Sequence, residues 1–346
     1  MSYLGEALVT ARRARGLTQG ELAEAAGVTQ AALSRYENDQ REPDELVLAG
    51  LAKALGVTEA FLHTAGRLRG AMAIDVHMRR QATAKPSIWR QLEARLNMYR
   101  MHARHLFEEV SIRAEQRIPT FDPIDVDPQD AARLVRMQWR MPVGPVRSMV
   151  RWMESAGCLV IEEDFGTPRV DGLSQWIGEH PVVLLNSRSP VDRKRLTLAH
   201  ELGHLCLHSS FVSETVEQEA NRFAAEFMMP GEVIKPQLRH VTLGRLVDLK
   251  REWGISMQAL IERANDLGLL AGNQRSNMYK SLSARGWRTL EPVSEELPKE
   301  TPSLPRDIGD ALFAKGLSAK EIAMLAGFEP DAIHPFEPAR RALRAV

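Results

Sequence analysis

The sequence has few cysteines, and neither sign of charge is in excess. Two cysteines among 346 residues, Cys158 and Cys206, exclude a disulfide framework and are typical of a reducing compartment. Basic and acidic residues balance at 45 each, so DNA binding would need a local patch rather than bulk charge. The sequence contains neither a signal peptide pattern nor an apolar run of the roughly 20 residues that a membrane helix needs. We therefore expect a cytoplasmic protein with no membrane partner.

Length and patterning predict a multidomain, mainly α protein. An N-terminal five-helix bundle is expected over residues 1–66, and a linker with a long amphipathic helix over 67–124. An α+β domain with a small sheet is expected over 125–272. A linker and a small helical C-terminal tail would occupy 273–346.

The N-terminal bundle contains a clear helix-start signal. Thr18 and Glu21 form a capping box, in which the threonine hydroxyl caps the helix and the glutamate reaches back. Gly27 supplies a turn conformation that side chains resist, and a second helix is predicted from Gln30 to Glu37. The pattern Gly-Leu-Thr-Gln-x-Glu-Leu-Ala-x-x-Ala-Gly-Val-Thr-Gln-x-x-Leu-Ser-x-Tyr-Glu-Asn, which starts at Gly16, resembles the Xre/Cro-type helix-turn-helix family.

This resemblance implies a homodimer that binds a double-stranded DNA operator, with its second helix in the major groove. The residues then expected at base edges are Gln30, Ala31, Ser34 and Arg35, since Gln and Arg can read adenine and guanine in bidentate fashion. Thr29 belongs to the same surface. Gln19 and Asn38 are expected at phosphates, with Arg12 and Arg41 as nearby charge.

A single helix is predicted from Ile88 to Arg117, ended by Pro119, because apolar residues recur on one stripe. Arg90, Arg95, Arg100 and Arg104 lie on its other faces. This pattern favours a connecting or dimerising helix with a solvated basic face, and a helix laid along DNA phosphates is the alternative.

The α+β region contains a possible metal motif. Helices are predicted at 127–139 and 145–156, and short strands at 158–161 and 181–186. His200-Glu201-x-x-His204 follows, on an apolar helix that places both imidazoles one turn apart on one face, as zinc requires. Glu217 on the next helix points the same way as small residues such as Ala220 and is the expected third ligand, with Glu219 as the alternative. Asn221 is expected to orient a ligating histidine.

The stretch from Val182 through His200-Glu-Leu-Gly-His204 to Pro230 resembles the ImmA/IrrE family of metallopeptidase domains, over about residues 125–270. The resemblance implies a zincin-like fold and cleavage of a repressor protein. Zinc, or manganese, would be held by His200, His204 and Glu217, with Glu201 as the general base. His208 and Arg195 are candidate oxyanion donors, for which a structural role is favoured.

Two other functions stay open. The metallopeptidase-like domain could be a non-proteolytic sensor of a metal, ligand or partner within a transcriptional regulator. The protein could also be an antitoxin-like repressor, a hypothesis that depends on the N-terminal bundle alone.

The C-terminal tail repeats part of the N-terminal bundle. Residues 291–305 have the Pro and Glu content of a flexible linker. Beyond them Ser318, Glu321 and Gly327 reproduce Thr18, Glu21 and Gly27 at a constant offset of 300. Prolines interrupt the second helix of this copy, so we expect it to serve packing or protein contact, with DNA reading as the alternative.

Overall fold

The structure is a computed structural model, and it describes residues 4–65, 77–78, 85–110, 114–208 and 215–339. Helices dominate these residues, and a four-stranded sheet lies among them, as expected for a mainly α protein. Among the described residues, no helix combines the length and the apolar character needed to cross a bilayer.

The first five helices form the predicted bundle. Three of them begin where a side chain accepts a hydrogen bond from the backbone N–H three residues on, at Thr18, Thr29 and Asp44. Gly27 makes the turn between the second and third helices with a φ of 68°. The bounds are α1 Leu4–Ala14, α2 Gln19–Ala25, α3 Gln30–Glu37, α4 Glu45–Leu55 and α5 Glu59–Ala65.

The long helix α6, Pro86–Glu109, is shorter than predicted. It ends well before Pro119, and Val110 beyond it is extended. Soon afterwards the Gln116 N–H donates to the Ser155 carbonyl oxygen, which takes the chain away from the helix axis. Most of the predicted linker 67–87 lies outside the described residues.

The prediction of a solvated basic face on α6 is wrong for Arg100. This side chain is buried, and its guanidinium donates to the Trp176 carbonyl oxygen and to Asn97 Oδ1. The reason is that α6 lies between two cores. Residues such as Met98 pack into the N-terminal bundle, whereas residues such as Leu96 pack against the sheet.

The sheet has the order β1-β3-β4-β2. Its strands are β1 His77–Met78, β2 Leu159–Glu163, β3 Gly172–Ile177 and β4 His180–Asn186. β2 runs parallel to β4, while β3 is antiparallel to both β4 and β1. β2 and β4 correspond to the two predicted strands, whereas β1 and β3 were not predicted.

The two faces of the sheet belong to different cores, because side chains alternate along a strand. Val183 and Leu185 of β4 face a core that includes α9, and Val182 and Leu184 face α6. The helices of the first core are α7 Pro128–Gln138, α8 Met149–Ser155, α9 Val191–Leu207, α10 Val216–Met228, α11 Gly231–Ile234, α12 Leu243–Trp253, α13 Met257–Asp266 and α14 Gln274–Ala284.

Helix α8 starts later than the predicted Pro145. The carbonyl oxygens of Val146 and Arg147 accept hydrogen bonds from the Arg195 guanidinium, so this stretch is held outside the helix.

The predicted flexible linker is instead packed onto the α+β region. Glu291 and Ser294 are buried and bind the buried Lys250 Nζ, each at 2.7 Å, and Asp192 of α9 completes the same cluster. Glu300 pairs with the buried Arg195 of α9. Composition predicted mobility, but buried ion pairs fix this segment, since charges removed from water require partners.

The C-terminal copy is half of a helix-turn-helix. Helices α15 Leu304–Ala314 and α16 Ala319–Leu325 are present, and Ser318 with Glu321 forms a second capping box. In the described residues after α16 the chain is non-helical, consistent with Pro330 and Pro335. The copy packs under the sheet and also bridges to the N-terminal bundle, where Val57 pairs with Phe328.

Candidate metal centre and DNA-binding helix

Helix α9 buries the His-Glu-x-x-His motif. His200, Glu201 and His204 are each at most 1% exposed. Gly203 faces α10, where a Cβ would lie 3.2 Å from Ala220 Cα. The missing side chain therefore lets the two helices approach closely, and this approach brings the acidic start of α10 to the histidines.

Three potential ligands converge at this point. His200, His204 and Glu217 offer ligand atoms that all lie within 4.8 Å of one another. The two Nε2 atoms are 3.0 Å apart, and carboxylate oxygens of Glu217 lie 3.6 Å from that of His200 and 3.2 Å from that of His204. Glu219, the alternative ligand, lies outside this group of three.

Glu219 instead begins a hydrogen-bonded chain that reaches His204. Its Oε2 lies 2.8 Å from His208 Nε2, and His208 Nδ1 lies 3.0 Å from His204 Nδ1. Burial raises the pKa of Glu219, but bonds from Thr215 and His208 outweigh it, so the pKa is lowered and the carboxylate accepts. Burial lowers the pKa of His208, which keeps it neutral, with its proton on Nε2. His204 therefore donates from Nδ1.

The ring proton of His200 lies on the same atom as that of His204. Its Nδ1 lies 3.0 Å from Asn221 Oδ1, an oxygen that can only accept, so His200 also carries its proton on Nδ1. The Nε2 lone pairs of His200 and His204 consequently face each other beside the Glu217 carboxylate. Such an arrangement requires a cation, and two imidazoles with one carboxylate form a donor set that fits zinc or manganese.

The charge state of Glu217 agrees with this reading. Burial raises its pKa, but when a proton on the histidines takes the place of that cation, hydrogen bonds and charges from His200 and His204 outweigh burial and lower the pKa to about 2. The carboxylate is therefore ionised at neutral pH, as a metal ligand must be.

Ser174 is a site residue that sequence reasoning missed. Its Oγ donates to Glu201 Oε2 at 2.6 Å, and both side chains are buried. Ser174 belongs to β3, so the interaction depends on a strand that the sequence did not reveal. The bond fixes one oxygen of the expected general base.

The two candidate oxyanion donors have structural roles. His208 lies in the chain between Glu219 and His204, and Arg195 is bound to Glu300 and to the Val146 carbonyl oxygen.

In the N-terminal bundle, α3 presents the residues expected at base edges. Gln30, Ala31 and Arg35 are exposed and Ser34 is half-buried. Thr29 caps the helix, accepting from the Ala32 N–H at 3.2 Å. The opposite side of the helix is anchored in the core by residues such as Leu33.

A buried carboxylate fixes several neighbours of α3. Glu37 accepts from Arg12 at 2.5 Å and from the Gln19 amide at 2.7 Å. Arg12, which was expected as nearby charge for the phosphates, is thus paired with Glu37 inside the bundle. Asn38 donates from Nδ2 to the Ser34 carbonyl oxygen at 2.7 Å and is itself exposed.

These features place an exposed helix-turn-helix surface and a candidate metal centre of the His-Glu-x-x-His type in one chain. Comparisons with known proteins agree: residues 8–62 match the helix-turn-helix family, and residues 153–265 match the IrrE N-terminal-like domain family. The chain is thus a helix-turn-helix domain fused to an IrrE-like domain.

A segment of the chain is also similar to a curated protein, the radiation response metalloprotease IrrE of Deinococcus radiodurans. The two are 38% identical over 74 residues, which cover 17% of this chain and 23% of that protein. The match therefore spans less than a quarter of the relative's length.

Proposed function

We propose that this protein is a DNA-binding transcriptional regulator whose IrrE-like domain hydrolyses a peptide bond in a partner repressor. One observation carries the proposal: His200, His204 and Glu217 meet with their ligand atoms within 4.8 Å, directly beside the buried Glu201. A buried cluster of this kind serves catalysis better than packing, since each polar group costs free energy on burial.

The proposed ligands are His200, His204 and Glu217, and the proposed metal is zinc, with manganese as a chemically acceptable substitute. Asn221 and His208 would orient the two histidines through their Nδ1 atoms. A bound divalent ion would supply Lewis-acid chemistry, which makes water a better nucleophile and polarises a peptide carbonyl group.

Glu201 would perform the proton transfers. Its carboxylate accepts a proton from water as the water oxygen bonds to the peptide carbonyl carbon. Glu201 then gives that proton to the departing nitrogen as the C–N bond breaks, leaving one new carboxyl group and one new amine. Ser174 holds the carboxylate in place through the 2.6 Å hydrogen bond.

The helix-turn-helix would bring this chemistry to an operator. Gln30, Ala31, Ser34 and Arg35 would meet base edges, with Thr29 at the helix start, and Gln19 and Asn38 would contact phosphates. Because basic and acidic residues balance, one helix-turn-helix domain offers few cationic contacts to DNA phosphates. A homodimer would double these contacts and is therefore proposed. A repressor bound at the same operator is then a nearby substrate.

The test is incubation of the metal-loaded protein with small repressors encoded near its own gene, beside a matched Glu201→Gln variant. The wild-type protein should yield two fragments of one repressor, and the variant none, since general-base catalysis contributes about 10²–10⁴-fold. Metal content should be equal in both proteins. Wild-type protein that binds metal and DNA but leaves every repressor intact would instead support the sensor function.

A further inference from the structure

A cavity of about 700 Å³ lies beside the candidate metal centre, between α9, α10 and α13. Asn221, whose Oδ1 accepts from His200, lines this cavity, whereas the proposed ligands His200, His204 and Glu217 do not. Sites for small molecules have volumes of about 300–1,000 Å³. The cavity is therefore large enough for a metabolite and separate from the proposed metal ligands.

A buried carboxylate, that of Asp192, lines the cavity with one oxygen unused. Lys250 Nζ lies 2.7 Å from each of Asp192 Oδ2, Glu291 Oε2 and Ser294 Oγ. An ammonium group has three N–H donors, so these contacts use all of them. Asp192 is 3% exposed, and its Oδ1 accepts no hydrogen bond from the described part of the chain. This oxygen needs a donor, because a buried acceptor without one costs free energy.

Formal charge around Asp192 is also unbalanced. Asp192 and Glu291 carry two negative charges, and Lys250 carries one positive charge. Arg193 and Arg263 also line the cavity, but each is already paired with a carboxylate outside this cluster. Because a buried charge requires a partner, the missing donor is best supplied by a cationic group of a ligand.

A second charged group lies at the mouth of the cavity. Arg288 lines it and is exposed, and its guanidinium carbon lies 4.7 Å from the centroid of the Tyr279 ring. Among the residues that the structure describes, no carboxylate pairs with Arg288. A guanidinium binds a carboxylate through two parallel hydrogen bonds, so Arg288 offers a position for a ligand carboxylate.

We propose that this cavity binds a free amino acid, with its ammonium group on Asp192 Oδ1 and its carboxylate on Arg288. The chain between the two charged groups would lie along the apolar part of the wall, which includes Leu196, Ala224 and Met229. A lysine side chain of a peptide would supply the ammonium group without a free carboxylate, so Arg288 favours a free molecule. The site does not depend on whether the domain cleaves a repressor.

The test is calorimetric titration of the full-length protein with ω-amino acids of three lengths, 4-aminobutanoate, 6-aminohexanoate and 8-aminooctanoate. At least one of them should bind saturably. Hexylamine, which lacks the carboxylate, should bind about 2–5-fold more weakly than 6-aminohexanoate, since an exposed ion pair contributes little. Hexanoate, which lacks the ammonium group, should not bind. Absence of binding by all three amino acids would overturn the proposal.

Two variants assign the two ends of the ligand. Asp192→Asn keeps an oxygen for Lys250, balances the charge and places an N–H₂ group where Oδ1 lies, so it should fold and bind the amino acid about 10–100-fold more weakly. Arg288→Ala should weaken binding of the amino acid but not of hexylamine. Arg285→Ala is its matched control, because Arg285 is also exposed and stacked, on Trp287, but does not line the cavity.

Three results would contradict the assignment. Folded Asp192→Asn that binds like wild type would remove the ammonium position, and equal affinities in Arg288→Ala and Arg285→Ala would remove the carboxylate position. Nα-acetyl-lysine methylamide, which carries the ammonium group without a carboxylate, would overturn the choice of a free amino acid if it bound as tightly as the best probe. If Asp192→Asn does not fold, the two arginine variants still decide.

Discussion

At the scale of single residues, the candidate metal centre depends on side chains that are not themselves proposed ligands. Glu219 sets the proton position on His208, and His208 sets it on His204. Asn221 does the same for His200. The lone pairs that the centre needs are therefore fixed by neighbours one or two hydrogen bonds away from the proposed ligands, which is how many metalloproteins orient their histidine ligands.

The hydrogen-bonded chain from Glu219 through His208 to His204 predicts that substitutions weaken metal binding to different degrees. Glu217→Ala should abolish stoichiometric metal binding, whereas His208→Ala should weaken affinity by about 10–100-fold. Competition with a chromogenic chelator measures both effects, and His240→Ala, which changes an exposed histidine elsewhere, is the control. Wild-type affinity in His208→Ala would show that the hydrogen-bonded chain is irrelevant to the metal.

Ser174 gives a second prediction at this scale. Ser174→Ala removes the donor to Glu201, and a hydrogen bond to a charged group contributes about 1.5–3 kcal/mol, so turnover should fall by about 10–100-fold. Metal content should not change, because the hydroxyl does not contact the ligands. Ser174→Thr keeps the hydroxyl and should retain more activity than the alanine variant. An alanine variant with full turnover would remove Ser174 from the site.

At the scale of elements, the proposed function depends on two helices, α3 and α9. Both are readable in sequence, because their functional residues repeat at helical spacing on one face. The capping box of Thr18 and Glu21 and the turn glycine Gly27 were likewise predicted and are present, since each acts over only three or four residues.

Features that depend on distant parts of the chain were not predictable. β3 reads Gly-Leu-Ser-Gln-Trp-Ile, which lacks strict alternation, and its role becomes visible only when Ser174 meets Glu201. The segment around Glu291 has a linker composition, yet Lys250 and Arg195 lie far away in sequence and hold it through buried ion pairs. The end of α6 was also missed, because the chain beyond it is held by a distant contact between Gln116 and Ser155.

Helix α3 gives the prediction for DNA. Arg35 is exposed there, so Arg35→Ala should cost about 1–3 kcal/mol of binding free energy and relax specificity at one base pair. Titration of a selected operator and its single-base variants measures both effects. Arg239→Ala removes an exposed charge from the other domain and should leave binding unchanged. Equal losses in the two variants would mean that only bulk charge matters.

At the scale of the whole molecule, His102 of α6 joins three parts of the chain. Its ring stacks on Phe61 of the N-terminal bundle at 4.4 Å and on Phe328 of the C-terminal copy at 3.7 Å, measured between ring centroids. Its Nδ1 lies 2.7 Å from the Ala326 carbonyl oxygen and donates to it. A buried, neutral histidine thus helps to dock the degenerate repeat on the bundle, beside the pairing of Val57 with Phe328.

This position predicts acid sensitivity. Burial, reinforced by the nearby His105 and His334, lowers the pKa of His102 to about 3, whereas an unfolded histidine titrates near 6.5. Between these pH values the unfolded chain binds a proton that the folded chain does not, so stability falls as pH drops, by up to about 1.4 kcal/mol per unit. Denaturant unfolding measures the free energy of unfolding at pH 6.5 and at pH 4.5. The decrease in this free energy between the two pH values should be smaller for His102→Phe than for the wild-type protein. Equal decreases would contradict this assignment.

The measurement that tests the account most directly is gene regulation in cells that carry Glu201→Gln. Glu201 is not a proposed ligand, so its loss should leave metal, fold and DNA binding intact and remove only the proton acceptor. We predict that target genes stay repressed, as in a strain in which the gene for this protein is deleted. His200→Ala, which removes a proposed metal ligand, should give the same result. Normal regulation by Glu201→Gln, with a deletion phenotype only for His200→Ala, would show that the domain senses and does not cleave.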